Sequence, residues 1–203
     1  MKYLKSFEKS SDYQSFINGG GVSLPNVSYC KKENEVHYKP LVQQNNEIWY
    51  TSTDGNIVKP YSSSTTPFFD ADGNNIEIVS NTYENGKGII KLNADLYGIG
   101  SYITTYAPLY LSLFFETNVL TLSFPSSLSQ ITQSIIHQVE YASIIGMYFN
   151  SINPPKLSGY LFTAEFDMSI YQNLSIYVPS NSVDTYKTAD RWSDYADKIQ
   201  AIP

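Results

Sequence analysis

The chain contains a single cysteine, Cys30, so no disulfide can form within it and no cysteine cluster can hold a metal. Charge is also scarce. Only 16% of residues are charged, and 19 acidic residues outnumber 13 basic ones, giving a formal net charge of −6. Nucleic-acid binding needs a basic stripe, and this balance argues against one. The strongest apolar run, around Leu109 to Phe115, is far too short to span a bilayer, so membrane insertion is not expected. The first residues, MKYLKSFEKSSDYQSF, lack the continuous apolar stretch of a signal peptide; the expectation is a product made in a cytoplasm and not exported by the general route. Nucleophile-elbow, phosphate-loop and dinucleotide signatures are missing, and Gly19-Gly20-Gly21 lacks the lysine of a phosphate loop.

What the chain has is aromatic surface. Eighteen tyrosines and ten phenylalanines take the aromatic share to 15%, within a hydrophobic content of 42% that suits a folded core. Much tyrosine with little charge fits β-rich structure and wet, adhesive surfaces, or equally a β-rich core with tyrosine at its edges.

Along the chain, Leu4, Phe7, Tyr13, Phe16 and Ile17 have rough helical spacing, and Gly19-Gly20-Gly21 ends that segment. Val27 and Tyr29, then Val36 and Tyr38, alternate as two strands joined through Lys31-Lys32-Glu33-Asn34. After the polar linker Gln43-Gln44-Asn45-Asn46, the run IWYTSTDGNIVKPY predicts a hairpin: Ile48 and Tyr50 point inward, Asp54-Gly55 turns, and Ile57-Val58 returns. Turn chemistry recurs at Asp72-Gly73-Asn74 and at Asn85-Gly86.

From Ile89 to Val178 a pattern repeats. Leu92, Leu96, Ile99 and Ile103 are spaced four, three and four apart, and Phe124, Leu128, Ile131 and Ile135 repeat this spacing 32 residues later. Short strands are expected at IIKLN, LTLSFP, Met147–Asn150 and Ile176–Pro179. A unit of strand, turn and amphipathic run cannot bury its apolar face alone and must stack on its neighbours. The last thirty residues, in the order IYVP, SV, YK, W, YA, I, I, resemble the closing turn and cap of BspA-like leucine-rich-repeat proteins. The segment LPNVSYC followed by NEVHYKP resembles the N-terminus of structural proteins, head-fibre or other virion proteins, of crAss-like and related Bacteroides phages.

These resemblances imply a β-rich chain of the α+β class: a small N-terminal helix-plus-hairpin unit followed by a short, degenerate leucine-rich-repeat-like solenoid. The segments would be an attachment segment at 1–45, a hairpin-rich lead-in at 46–88 and the repeat-like domain with its C-terminal cap at 89–203. The implied function is a bacteriophage virion structural protein of head-fibre or capsid-decoration type, displaying its repeats for adhesion or assembly. The alternative is a non-virion protein-binding module encoded by a prophage or a bacterium. The implied partners are further copies of the chain, a trimer as in phage fibres, together with capsid or other virion proteins and a host-surface glycan or protein. The apolar runs YAPLYLSLFFETN and IIGMYF look like surface hidden against those copies.

Candidate chemistry is thin. Asp70-x-Asp72-Gly73-Asn74-Asn75 suggests a calcium loop, but Asn75 stands where glycine is required and Asn81 where a bidentate glutamate is required, so a tight turn is expected. His37 and His137 have no zinc spacing, and His137 is expected on an amphipathic surface. Cys30 with His37 has no third orienting group, and Asp184 with Asp190 sits on an amphipathic face. No catalysis, metal or cofactor is expected. The residues expected to attach the chain to a particle are Val27, Tyr29, Val36 and Tyr38, as apolar anchors of strand addition, with Pro25 and Pro40 ending the pairing. The competing reading is that these strands complete the fold of residues 46 to 86.

Overall fold

Brief β-branched and aromatic runs, punctuated by Gly, Pro, Asn and Ser, favour many short strands over helices. The computed structural model describes residues 27–32, 35–40, 42–60, 67–100, 113–115, 117–138, 143–164 and 168–203. Its strands are β1 (Val27–Lys32), β2 (Glu35–Pro40), β3 (Glu47–Ser52), β4 (Phe68–Phe69), β5 (Ile78–Glu84), β6 (Lys87–Leu92), β7 (Gly98–Ile99) and β8 (Phe114–Phe115). They continue with β9 (Val119–Phe124), β10 (Gln130–Ile131), β11 (Ile136–Gln138), β12 (Gly146–Phe149), β13 (Lys156–Leu157), β14 (Phe162–Ala164), β15 (Ser175–Val178) and β16 (Ile199–Ala201). Among the described residues there is one α-helix, α1 (Val183–Thr188), with 3-10 turns at Met168–Tyr171, Ser180–Ser182 and Trp192–Tyr195.

The chain divides into two compact units, Met1–Gln43 and Gln44–Pro203. In the first, β1 and β2 form an antiparallel hairpin with Val27 opposite Pro40, Tyr29 opposite Tyr38 and Lys31 opposite Val36.

Among the described residues the second unit holds three sheets. The largest has the order β16-β15-β12-β9-β3-β6-β5; the others are β13-β10-β7-β4 and β14-β11-β8. β3, β5 and β6 pair antiparallel, with the β5–β6 turn made by Asn85 (φ 52°) and Gly86 (φ 79°). Two successive positive φ values define the tight turn whose twist matches that of the strands it joins. From β7 onward the chain visits the three sheets in turn. β10, β11 and β12 pair parallel with β7, β8 and β9, and β13, β14 and β15 then pair parallel with them. Equivalent positions therefore line up inside the core. Leu122, Met147, Ile176 and Ile199 form one ladder, Ile99, Ile131 and Leu157 another, and Phe114, Ile136 and Phe162 a third; all are buried. Each such side chain contributes roughly 1.5–3 kcal/mol by leaving water.

The residues after β15 close the final pass. Tyr186 donates its hydroxyl to the Ser151 carbonyl at 2.9 Å, and Trp192 its indole N–H to the Pro155 carbonyl at 2.7 Å. Tyr195 accepts the Leu161 amide at 3.0 Å. Trp192 also meets Phe149 and Tyr186 edge-on, at 5.0 and 4.8 Å between ring centroids. Backbone groups that no further strand covers are thus paired with buried aromatic side chains.

This architecture overturns the expected fold. The described part of residues 1–45 that lies in the first unit is a plain hairpin, not a helix-plus-hairpin unit; the helix expected near Leu4–Ile17 lies outside the described residues. The described residues show no leucine-rich-repeat-like solenoid. Instead, large mixed sheets unite the lead-in strands β3, β5 and β6 with the strands that follow them. The four-three-four spacing marks Leu92, Leu96, Ile99, Phe124, Leu128, Ile131 and Ile135 as core residues, but they sit in short strands and bends rather than amphipathic runs. The expected hairpin after β3 also fails. Both edges of β3 are taken, by β6 and β9, so Ile57-Val58 cannot pair with it. Instead Val58 donates its amide to the Tyr50 hydroxyl at 3.2 Å.

Candidate functional site

Strand alternation sends one set of side chains of the seven-stranded sheet inward and the other outward. Ile48 and Tyr50 of β3, Leu122 and Phe124 of β9, Met147 and Phe149 of β12, and Ile176 and Val178 of β15 are buried in the core. The intervening positions fall into register across the sheet. Ile89, Trp49, Ser123, Tyr148, Tyr177 and Gln200 form one outward row. Beside it runs a row of small residues: Thr51, Thr121, Gly146 and Ser175.

The Tyr148 and Tyr177 rings stack nearly parallel, with centroids 4.5 Å apart and 14° between planes. Parallel strands in register place like atoms about one strand spacing apart, ~4.8 Å, which brings the two rings face to face. Both rings lean over Gly146. A Cβ there would lie 3.2 Å from Cε2 of Tyr148 and 3.4 Å from Cε2 of Tyr177. Glycine at this position is what lets the pair lie down along the sheet. The Tyr148 hydroxyl is held above its ordinary pKa by burial and then by its neighbour Tyr177. Polar side chains flank the pair. Asn150 donates to the Ser123 hydroxyl at 3.2 Å, and the Thr51 and Thr121 hydroxyls share a hydrogen at 2.7 Å.

The antiparallel end of the row carries the charge. Trp49 donates its indole N–H to Glu47 at 2.9 Å, and Lys87 places its Nζ over the indole, 2.8 Å from the ring centroid. That Nζ is buried and has no hydrogen-bond partner among the described residues. Burial pulls the Lys87 ammonium down to about 8, and the charge of Glu47 acts against this. The ring quadrupole and the Glu47 carboxylate both favour the cation against its burial.

The residues singled out from the sequence are scattered. Asp70 accepts hydrogen bonds from the amides of Asp72 and Asn74 at 3.0 and 2.8 Å and from the Asn74 side chain at 3.1 Å, which draws its pKa down. Its carboxylate thus organises a turn. No cluster of three or more potential metal ligands occurs among the described residues. His137 lies buried in β11 rather than on a surface. Asp184 and Asp190 are exposed. Cys30 and His37 stand directly opposite each other in the β1–β2 register. Val27, Tyr29, Val36, Tyr38 and Pro40 occupy alternate register positions of that hairpin; Pro25 lies outside the described residues. Much of the apolar material expected at an interface between copies is inside the second unit instead: Leu113, Phe114, Ile144, Met147 and Phe149 are buried.

Sequence reasoning missed the outward row. Its trace is an aromatic residue at the centre of three strand triplets: Trp49 in Ile-Trp-Tyr, Tyr148 in Met-Tyr-Phe and Tyr177 in Ile-Tyr-Val. Compared with known proteins, the chain matches no family model and no curated protein.

Proposed function

We propose that this chain is a non-enzymatic virion structural protein, of head-fibre or capsid-decoration type, that works by binding. The β1–β2 hairpin attaches it to a particle, and the second unit presents the outer face of its seven-stranded sheet to a partner. The observation that carries the binding role is the outward row. From Ser123 to Gln200 it is aromatic and polar, without a charged side chain, and is built on rigid strands. Aromatic groups that stay partly exposed on a rigid scaffold are the usual anchors of recognition. The particle role draws on the resemblance at Leu24–Pro40 and on the hairpin's short strands, which suit addition of a partner strand. Copies of the chain, other virion proteins and a host-surface glycan or protein are the proposed partners.

Deleting residues 1–42 tests this reading. The expected result is a truncated protein with an unchanged thermal midpoint that no longer joins particles. Incorporation of the truncated protein, or its failure to fold, would refute the attachment role.

A further inference from the structure

Tyr148 and Tyr177 meet the geometric requirements of a covalent bridge. They are directly paired on the parallel strands β12 and β15, stacked at 4.5 Å and 14°, and both stand half-exposed on the outer face. Neither hydroxyl has a hydrogen-bond partner among the described residues. Their Cε2 atoms, ring carbons ortho to the hydroxyls, both lie on the Gly146 side of the stack, 3.2 and 3.4 Å from the point a Gly146 Cβ would occupy. A tyrosyl radical carries spin density at that ortho position, so two rings stacked with these carbons on the same side are placed for radical coupling after a small ring rotation.

We propose that Tyr148 and Tyr177 form a modification site at which oxidation creates an intramolecular dityrosine. The co-reactants are hydrogen peroxide and a one-electron oxidant of the haem-peroxidase class. Each phenol gives up one electron and one proton, and the two radicals join through a new Cε–Cε bond. The two ortho hydrogens then move through solvent to the oxygens and restore both phenols. The protein loses two hydrogens in all, and the peroxide is reduced to two waters. A chain with one cysteine has no internal disulfide to tie its strands together, and this bridge ties β12 to β15. The molecule carries its own comparison. Tyr50 and Tyr83 are 5.7 Å apart but tilted by 40°, and the buried Tyr50 hydroxyl is engaged by Asn81 and Val58. That pair remains uncoupled.

The test treats the dilute full-length chain with a haem peroxidase and limiting hydrogen peroxide. The expected product is a monomer lighter by two hydrogens, with blue dityrosine emission, a peptide joining Tyr148 to Tyr177 and a raised thermal midpoint. Tyr148→Phe and Tyr177→Phe each abolish that peptide with an unchanged circular dichroism spectrum, whereas Tyr83→Phe leaves its yield intact. The proposal fails if the bridge maps to other tyrosines, if it forms only between molecules, or if either phenylalanine variant retains it.

Discussion

The seven-stranded sheet joins two regions built by different rules. Its antiparallel side, β3, β5 and β6, is held by a tight turn and by polar side chains reaching between strands, such as Tyr50 donating to Asn81 at 2.7 Å. Its outermost strand, β5, buries little, and Val79 is 62% exposed. The parallel side, β9, β12, β15 and β16, has no short turns between its strands, because a parallel connection must cross the molecule before it returns. It is held by ladders of identical core positions and by the aromatic closure around Trp192. The comparison teaches that stability on the antiparallel side resides in local geometry, and on the parallel side in contacts between residues far apart in the chain.

The comparison breaks first in the parallel core. Trp192→Ala is expected to cost about 3–5 kcal/mol and Met147→Ala about 2–5 kcal/mol, read from urea midpoints, because both leave cavities that the ladders cannot fill. Val79→Thr on the exposed edge should change stability by no more than about 0.5 kcal/mol. Equal losses at Met147 and Val79 would erase the distinction.

Tyr186 sharpens it with pH. Burial pushes its hydroxyl up to about 12, against the lowering effect of its hydrogen bond to Ser151. A group raised in the folded state contributes stability that is fully present below its ordinary value of 10.0 and is lost as pH climbs through about 12. Tyr186→Phe should cost about 1 kcal/mol at neutral pH. It should also remove that part of the alkaline decline, measured as the thermal midpoint across the window.

On the antiparallel side the sensitive point is the turn. Gly86→Ala forces a side chain into positive φ, at a cost of roughly 1 kcal/mol by chemical denaturation. At Lys87 the expected sign reverses. Its pKa is lowered in the folded state, so between about 8 and its ordinary 10.5 the unfolded chain holds more protons, and stability rises with pH. Lys87→Met should flatten that rise and leave the protein slightly more stable below pH 8, as followed by urea midpoints. A variant that keeps the rise would place its source elsewhere.

How far the sequence could be read follows the same division. The strands expected at LTLSFP, Met147–Asn150 and Ile176–Pro179 overlap β9, β12 and β15, and the turn expected at Asn85-Gly86 forms, because local pattern alone carries both. The helical-looking spacing of Leu92, Leu96 and Ile99 identified buried residues but misled about conformation. A chain that bends every few residues turns an apolar side chain inward at intervals that mimic a helical period. Thr51 pairing with Thr121, rather than a return at Ile57-Val58, depends on competition between distant strands that no local window contains. The tyrosine pair of the candidate site was invisible for the same reason. Tyr148 and Tyr177 become neighbours only once the register of β12 against β15 is fixed.

The chain's two tryptophans happen to stand on opposite sides of this divide. Trp49 lies under a lysine on the antiparallel side, and Trp192 is enclosed by Phe149 and Tyr186 where the parallel passes close. Emission from the two indoles therefore reports on separate regions without any added label. Stopped-flow traces of the intact chain and of a Trp49→Phe variant separate the two: the variant reports Trp192 alone, and the difference reports Trp49. Coincident traces mean that the sheet unfolds as one cooperative body, and separated traces show which rule of construction yields first.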